Sequence, residues 1–187
     1  ITNGDFDVND IVGFSGNQII LTRADMNHAA EIYSYNLEKN TWQQLSNVNT
    51  AVYNSLALSK TERRYVTTTD GKKMLVWVIL PPNFDATKKY PTLLYCQGGP
   101  QSALTQFYSY RWNFPLMAAN GYIVVAPNRR GMQGHGVAWN EQISKDWGGQ
   151  VMDDYLSAID DVAKEAYVDK TRLGCVGASY GGYSVFY

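Results

Sequence analysis

Hydrophobic and polar positions change rhythm once along the chain, near residue 60. Before that point four short runs, Asp10–Phe14, Gln18–Thr22, Ala30–Tyr35 and Thr41–Leu45, are separated by turn sequences such as Ser15-Gly-Asn17 and Asn36-Leu-Glu-Lys-Asn40. Short runs at regular spacing, broken by Gly and Asn, predict an antiparallel meander such as one four-stranded blade of a β-propeller. Propellers close only when several blades repeat. Residues 1–60 therefore read as the last part of a propeller, or else as a small antiparallel subdomain.

After residue 60 the runs lengthen. Arg64–Thr69 and Met74–Leu80 flank Asp70-Gly71, and because Gly tolerates positive φ the pattern predicts a β-hairpin. Thr92-Leu-Leu-Tyr-Cys96, Tyr122-Ile-Val-Val-Ala126 and Leu173-Gly-Cys-Val176 are apolar without alternation, as expected of strands covered on both faces. Between them, residues 114–120 predict a helix stopped by Gly121, and 149–166 a longer one. In the longer segment Val151, Tyr155, Ala158, Ile159, Val162 and Ala166 recur at three- and four-residue steps. Asp153, Asp154, Asp160, Asp161 and Lys164 fall mostly opposite. Strand, helix, strand, helix, strand is the alternation of a parallel sheet. The predicted fold class is α/β over 61–187, preceded by antiparallel strands over 1–60.

The third apolar run leads into Gly177-Ala-Ser-Tyr-Gly181. A serine on a sharp strand-to-helix turn stands out above the sheet edge, and the glycines two residues to either side leave room for the neighbouring strand and helix. Ser179 is thus predicted as a nucleophile rather than a helix-capping serine, with the Tyr180 N–H aimed at the same spot as an oxyanion donor. Carboxyl ends of parallel strands share one edge. That places Gln97-Gly-Gly-Pro100 opposite the elbow, where such a loop supplies a second N–H; a plain tight turn is the other reading. Arg130 and the acidic pair Asp153/Asp154 are expected to form a partly buried ion pair tying the Arg-Gly loop to the long helix, structural rather than catalytic. A serine nucleophile needs an imidazole base. His28, however, lies in the blade-like part, and His135 precedes the elbow, whereas hydrolases of this kind run Ser, acid, His. His135 is read as a loop histidine.

Composition alters little of this. The 187 residues, 45% hydrophobic and 18% charged, suit one domain plus part of another. A formal net charge of −1 removes the electrostatic case for nucleic acid or an anionic membrane as partner. No apolar run approaches the roughly 18 residues of a membrane span, and Ile1-Thr-Asn-Gly-Asp5 has neither the basic nor the apolar region of a signal peptide. Cys96 and Cys175 sit within apolar runs and read as buried free thiols. No metal-ligand spacing is present and no cofactor is expected. With no initiator methionine and eight residues after Ser179, the chain reads as an internal stretch of a longer protein.

Taken together, Tyr95-Cys-Gln-Gly-Gly-Pro-Gln-Ser102, Asn128-Arg-Arg-Gly131, Asp146-Trp-Gly-Gly149, Asp154 and Gly177-Ala-Ser-Tyr-Gly-Gly182 give the chain a resemblance to the prolyl oligopeptidase family of serine peptidases. Within it the likeness is to bacterial dipeptidyl peptidases of type V and to acylaminoacyl peptidases. The resemblance implies the last blade of a β-propeller over 1–60 and an α/β-hydrolase domain, truncated after the elbow, over 61–187. It implies Ser179 as nucleophile and the Tyr180 N–H as oxyanion donor, with the Tyr180 ring lining the pocket for the residue before the cut bond. Gln97 stands where type IV dipeptidyl peptidases carry a tyrosine and many acylaminoacyl peptidases a histidine. A tyrosine hydroxyl donor is thus missing there, the Gly99 N–H is implied in its place, and Gln97 falls beside the substrate. The family's catalytic Asp and His would lie beyond Tyr187, so this stretch alone is expected to be inactive or nearly so. The implied substrate is a peptide losing dipeptides or blocked residues from its N-terminus, and the implied location is the periplasm or the cell exterior. Residue preference and oligomeric state have no signal in the sequence. A small ester or amide hydrolase of the same fold and a binding module with an idle serine are the competing readings.

Overall fold

Gly16 (φ 56°) and Asn40 (φ 52°) supply the positive φ that lets consecutive strands reverse tightly. Around them β1 (Asp7–Ser15), β2 (Gln18–Asp25), β3 (His28–Asn36) and β4 (Thr41–Gln44) form an antiparallel sheet in the order β1-β2-β3-β4. The meander predicted from residues 10–45 is present, with every strand but β4 longer than its apolar run. The structure is a computed structural model and describes residues 3–187; Ile1 and Thr2, part of the segment read for a leader, lie outside it. A short helix, α1 (Thr50–Tyr53), follows the sheet.

Two compact units divide the chain. The first runs up to Leu58 and also takes in Thr105–Pro115; the second comprises Ser59–Leu104 and Leu116–Tyr187. In the first, Leu21, Ala24, Met26 and Tyr35 are buried, and Trp42 packs against Phe6, Tyr33 and Tyr35. The Asp7 carboxylate accepts the Gln106 N–H at 3.0 Å, tying the returning segment to β1.

The second unit is built on a five-stranded sheet of β5 (Lys60–Thr67), β6 (Lys73–Leu80), β7 (Tyr90–Cys96), β8 (Ile123–Pro127) and β9 (Val168–Gly177), in the order β5-β6-β8-β7-β9. β5 and β6 are the hairpin read around Asp70-Gly71, with Gly71 at φ 82°. The pairs β7–β8 and β7–β9 are parallel, and β6 joins β8 antiparallel. The core follows from burial. Met74, Val76, Val78, Ile79, Ile123, Val124 and Val125 are fully covered. Each such side chain stabilises the fold by roughly 1.5–3 kcal/mol, and Ile79→Ala would cost about 2–5 kcal/mol through the cavity it leaves.

Helices α2 (Phe114–Ala119), α3 (Val137–Glu141), α4 (Gln150–Val162) and α5 (Tyr180–Phe186) complete the chain. α4 lies across β8, β7 and β5 and buries Val151, Tyr155, Ala158, Ile159 and Val162. It ends at Val162 rather than Ala166, and Ala166 is exposed.

Three expectations are corrected. β9 is not buried on both faces: Leu173, Gly174 and Cys175 are exposed, and β9 is the last strand of the sheet. Cys175 is accordingly an exposed free thiol, while Cys96 is a buried one. Asp154, counted with the polar face of α4 and expected only partly buried in its pair with Arg130, is fully buried. No helix among the described residues is long and apolar enough to cross a membrane.

Candidate active site

β9 runs straight into the turn that carries Ser179, and α5 begins at the next residue. Ser179 has φ 58° and ψ −126°, a conformation sparsely populated by residues with a Cβ, and its side chain is exposed. Such strain persists only where the surroundings enforce it. Here they do. A Cβ on Gly177 would come within 2.5 Å of the Gly181 carbonyl oxygen and 2.7 Å of that of Cys96, and one on Gly181 would overlap the Cys96 carbonyl more severely. Strand β7 and helix α5 thus press on the turn so closely that both flanking positions admit only glycine.

Loop 97–100, which leaves the carboxyl end of β7, meets this turn. A Cβ on Gly98 would lie 3.1 Å from the Ala178 carbonyl oxygen and 3.6 Å from the Ser179 Cβ. Gly99 has φ 124°, a backbone shape that L side chains rarely adopt. Gln97 does not project freely: its amide donates to the Ser102 Oγ at 3.3 Å, and its carbonyl accepts from Arg129 and from the Tyr155 hydroxyl.

As the first residue of α5, Tyr180 has its N–H outside the helix's own hydrogen-bond ladder. Its side chain is buried, with the hydroxyl donating to the Trp147 carbonyl at 2.7 Å and the ring edge-on to that of Trp147. What Tyr180 turns toward Ser179 is therefore main chain, while its ring anchors the start of α5. Burial pushes the phenol above its ordinary range.

Arg130 and Asp154 meet in the interior. Arg130 Nε lies 3.2 Å from Asp154 Oδ2, and the Arg130 main-chain N–H donates to the same oxygen at 2.9 Å. The guanidinium also clasps Asp70 in the hairpin loop and donates to Thr68 Oγ1 at 3.2 Å. Sequence reading missed Asp70 as a partner because hairpin-loop aspartates are usually solvated. Burial raises the Asp154 carboxyl above its usual range, against the pull of Arg130. For Asp70, hydrogen bonds from Arg130 and Thr68 hold the carboxyl well below the usual range. Asp153 is exposed and takes no part in this cluster.

Each histidine has local contacts of its own. His28 Nδ1 is 2.8 Å from Asp25 Oδ1 in the first unit. His135 is exposed in the glycine-rich loop, its ring centroid 6.3 Å from that of Trp139, and partial burial lowers its pKa. Among the described residues no group of three or more His, Cys, Asp or Glu side chains is arranged to hold a metal. Sequence reading also passed over Arg129 and Tyr155, which hold loop 97–100 from below. The available signal was the doubled arginine after β8, on the sheet edge that also carries the elbow.

Comparison with known proteins agrees with this geometry. The model of the prolyl oligopeptidase family matches residues 108–187. Dipeptidyl-peptidase 5 of Porphyromonas endodontalis is 52% identical over 180 residues, covering 95% of this chain and 26% of that protein. Dipeptidyl-peptidase 5 of Porphyromonas gingivalis is 49% identical over 187 residues, covering 100% of this chain and 27% of its own length. The chain thus spans about a quarter of the length of the curated relatives it matches. A solved acylaminoacyl peptidase in complex with Z-Gly-Gly-Phe-chloromethyl ketone superposes with a TM-score of 0.84 at 25% identity, over 99% of this chain and 29% of that one. The five-stranded unit is the N-terminal part of an α/β-hydrolase fold, and the four-stranded sheet before it is part of a β-propeller. With relatives about half identical along nearly its whole length, and the family model matching its C-terminal 80 residues, the chain belongs to the prolyl oligopeptidase family.

Proposed function

We propose that the protein carrying this chain is a serine exopeptidase that releases dipeptides from peptide N-termini through an acyl-enzyme on Ser179. The observation that carries the reading is the strained, exposed Ser179 turn with Gly98 set against it. Ser179 Oγ attacks the carbonyl of the second residue, its proton passing to an imidazole base. The oxyanion is received by the Tyr180 N–H, with the Gly99 N–H as second donor. The base then protonates the leaving amine, and water hydrolyses the ester to free the dipeptide. Chain order Ser, acid, His puts the acid and the histidine after Tyr187. Gln97 and the Tyr180 main chain help shape the substrate side of the site, and Arg130–Asp154 is scaffolding. The 187-residue stretch alone is expected to be inactive. The dipeptidyl-peptidase 5 names of the relatives support the substrate class.

A second reading, removal of blocked N-terminal residues, is favoured by the 0.84 TM-score to an acylaminoacyl peptidase. The test uses the full-length protein with a fluorophosphonate probe, a dipeptidyl p-nitroanilide and an acetylated amino-acid p-nitroanilide. Labelling lost in Ser179→Ala, with turnover of the dipeptidyl substrate, supports the proposal. Turnover of only the acetylated substrate moves the assignment to the second reading. Absence of labelling overturns both in favour of a binding role.

A further inference from the structure

A fully buried guanidinium lies between loop 97–100 and the Tyr180 ring, and all of its hydrogen-bond partners are neutral. Arg129 Nε donates to the Tyr155 hydroxyl at 3.0 Å, Nη1 to the carbonyls of Pro100 and Arg130 at 2.7 and 2.8 Å, and Nη2 to the Gln97 carbonyl at 3.1 Å. Its Cζ lies 4.7 Å from the centroid of the Tyr180 ring and 5.6 Å from that of Tyr155. Gly131, at φ 96°, leaves the space that the guanidinium occupies: a Cβ there would come within 2.9 Å of Arg129 Nη1. Trp139 Nε1 donates to the Arg129 carbonyl at 3.1 Å and fixes the main chain behind it.

Burying a cation without a counter-ion is costly. The neighbouring Arg130, one residue on, meets two carboxylates. Arg129 instead spends its donors on both ends of loop 97–100 and lays its charge against the ring of the residue after Ser179. Its contacts therefore join the two segments that carry the two oxyanion donors. Nη1 and Nη2 hold the Pro100 and Gln97 carbonyls and so pin both ends of the loop that contains the Gly99 N–H, and the Tyr180 ring rests on the cation.

We propose that Arg129 is a positioning residue for acyl transfer, fixing the Gln97–Pro100 loop and the start of α5 so that the Gly99 and Tyr180 N–H groups converge, and holding a positive charge under the point where the oxyanion forms. This rests on the Ser179 reading above. In a medium that excludes water such a charge favours the tetrahedral oxyanion over the neutral ground state.

The test compares Arg129→Lys, Arg129→Gln and Arg129→Met in the full-length protein, with rates expressed per site titrated by the fluorophosphonate probe. That normalisation discards misfolded molecules, and wild-type labelling checks the Ser179 reading independently. Arg129→Met is expected to lower kcat by about 10- to 100-fold, a fraction of the roughly 10²–10³-fold cost of deleting an oxyanion donor outright, with KM changed less than about threefold. Arg129→Lys, which keeps the charge, recovers part of that loss, and Arg129→Gln recovers less. A dipeptidyl boronic acid, whose serine adduct is tetrahedral and anionic, weakens in parallel with kcat, while the dipeptide product binds as in wild type. Unchanged kcat per titrated site in all three variants overturns the inference. So does equal weakening of boronate and product, the signature of a residue that merely holds the fold. Loss of labelling in wild type would instead strike at the Ser179 reading.

Discussion

The side chain of Tyr180 reaches back to the main chain of Trp147: its hydroxyl donates to that carbonyl at 2.7 Å, and the two rings meet edge to face with centroids 5.5 Å apart. The residue after the candidate nucleophile is thereby fastened into the Asp146–Gly149 loop. Tyr180→Phe keeps the ring and removes the donor, leaving the Trp147 carbonyl to find another. The expected loss is about 1 kcal/mol, read as a lower denaturant midpoint with an unchanged slope. Phosphonate labelling should slow as well, since α5 loses its anchor. A midpoint equal to wild type would show that the bond contributes nothing net.

Ser179→Gly separates strain from chemistry. The φ of 58° and ψ of −126° cost a residue with a Cβ roughly 1–3 kcal/mol, against the roughly 0.5–1 kcal/mol that glycine's freer unfolded chain costs. The variant should lose all labelling yet unfold at a higher denaturant concentration, by about 1 kcal/mol. Thermal or denaturant melts of the two proteins decide it, and a destabilised glycine variant would contradict the strain assigned to the turn.

Stability toward acid should run through Asp70. Its carboxyl is held below the ordinary value by Arg130 and Thr68. A carboxyl whose folded pKa lies below its unfolded one stabilises the fold fully above the unfolded value of about 3.9, and that stabilisation is lost as pH falls through the folded pKa. Wild type should therefore lose stability below about pH 4 through this group, whereas Asp70→Asn, less stable at neutral pH, should show a shallower acid limb. Parallel acid limbs in pH-resolved melts would remove Asp70 from the account.

Cys96 should stay silent toward alkylation. Burial in β7 pushes its thiol up to about 12, and the thiolate is the reacting species. In the native protein at pH 8, iodoacetamide should leave Cys96 unmodified while modifying it readily in guanidinium chloride, as peptide mass mapping would show. Native modification at Cys96 would mean that β7 opens far more often than its burial suggests.

Where the sequence was legible, a local physical pattern was sufficient. The Asp70-Gly71 hairpin, the unbroken runs of β7 and β8 and the stripe of α4 all follow from periods or turn chemistry that a short window contains. β9 was misjudged because an apolar run records the preference of its residues and not how many neighbours cover them, and Cys175 was misplaced with it. The Arg130–Asp154 pair was legible from residue types alone, but its full burial, and the exclusion of Asp153 from it, depend on packing that a short window does not contain. α3 is short and follows directly on Gly131, Gly134 and Gly136, which mask any helical signal. Arg129 was quoted within its motif but given no role, since a charged side chain with only carbonyl and hydroxyl partners resembles a surface residue until the fold closes over it.

The membership of Thr105–Pro115 in the first unit has a consequence for dissecting the protein. The chain passes from one unit to the other three times, at residues 58/59, 104/105 and 115/116. A chain begun at Ser59 would carry Thr105–Pro115 without the Asp7 carboxylate that takes the Gln106 N–H and without the Met26 N–H that the Gln106 side chain accepts. The severed piece would display the buried Gln106 to solvent in the middle of the polypeptide rather than at an end. Trimming from the N-terminus therefore leaves an orphaned internal loop, and a clean separation requires replacing Thr105–Pro115 as well.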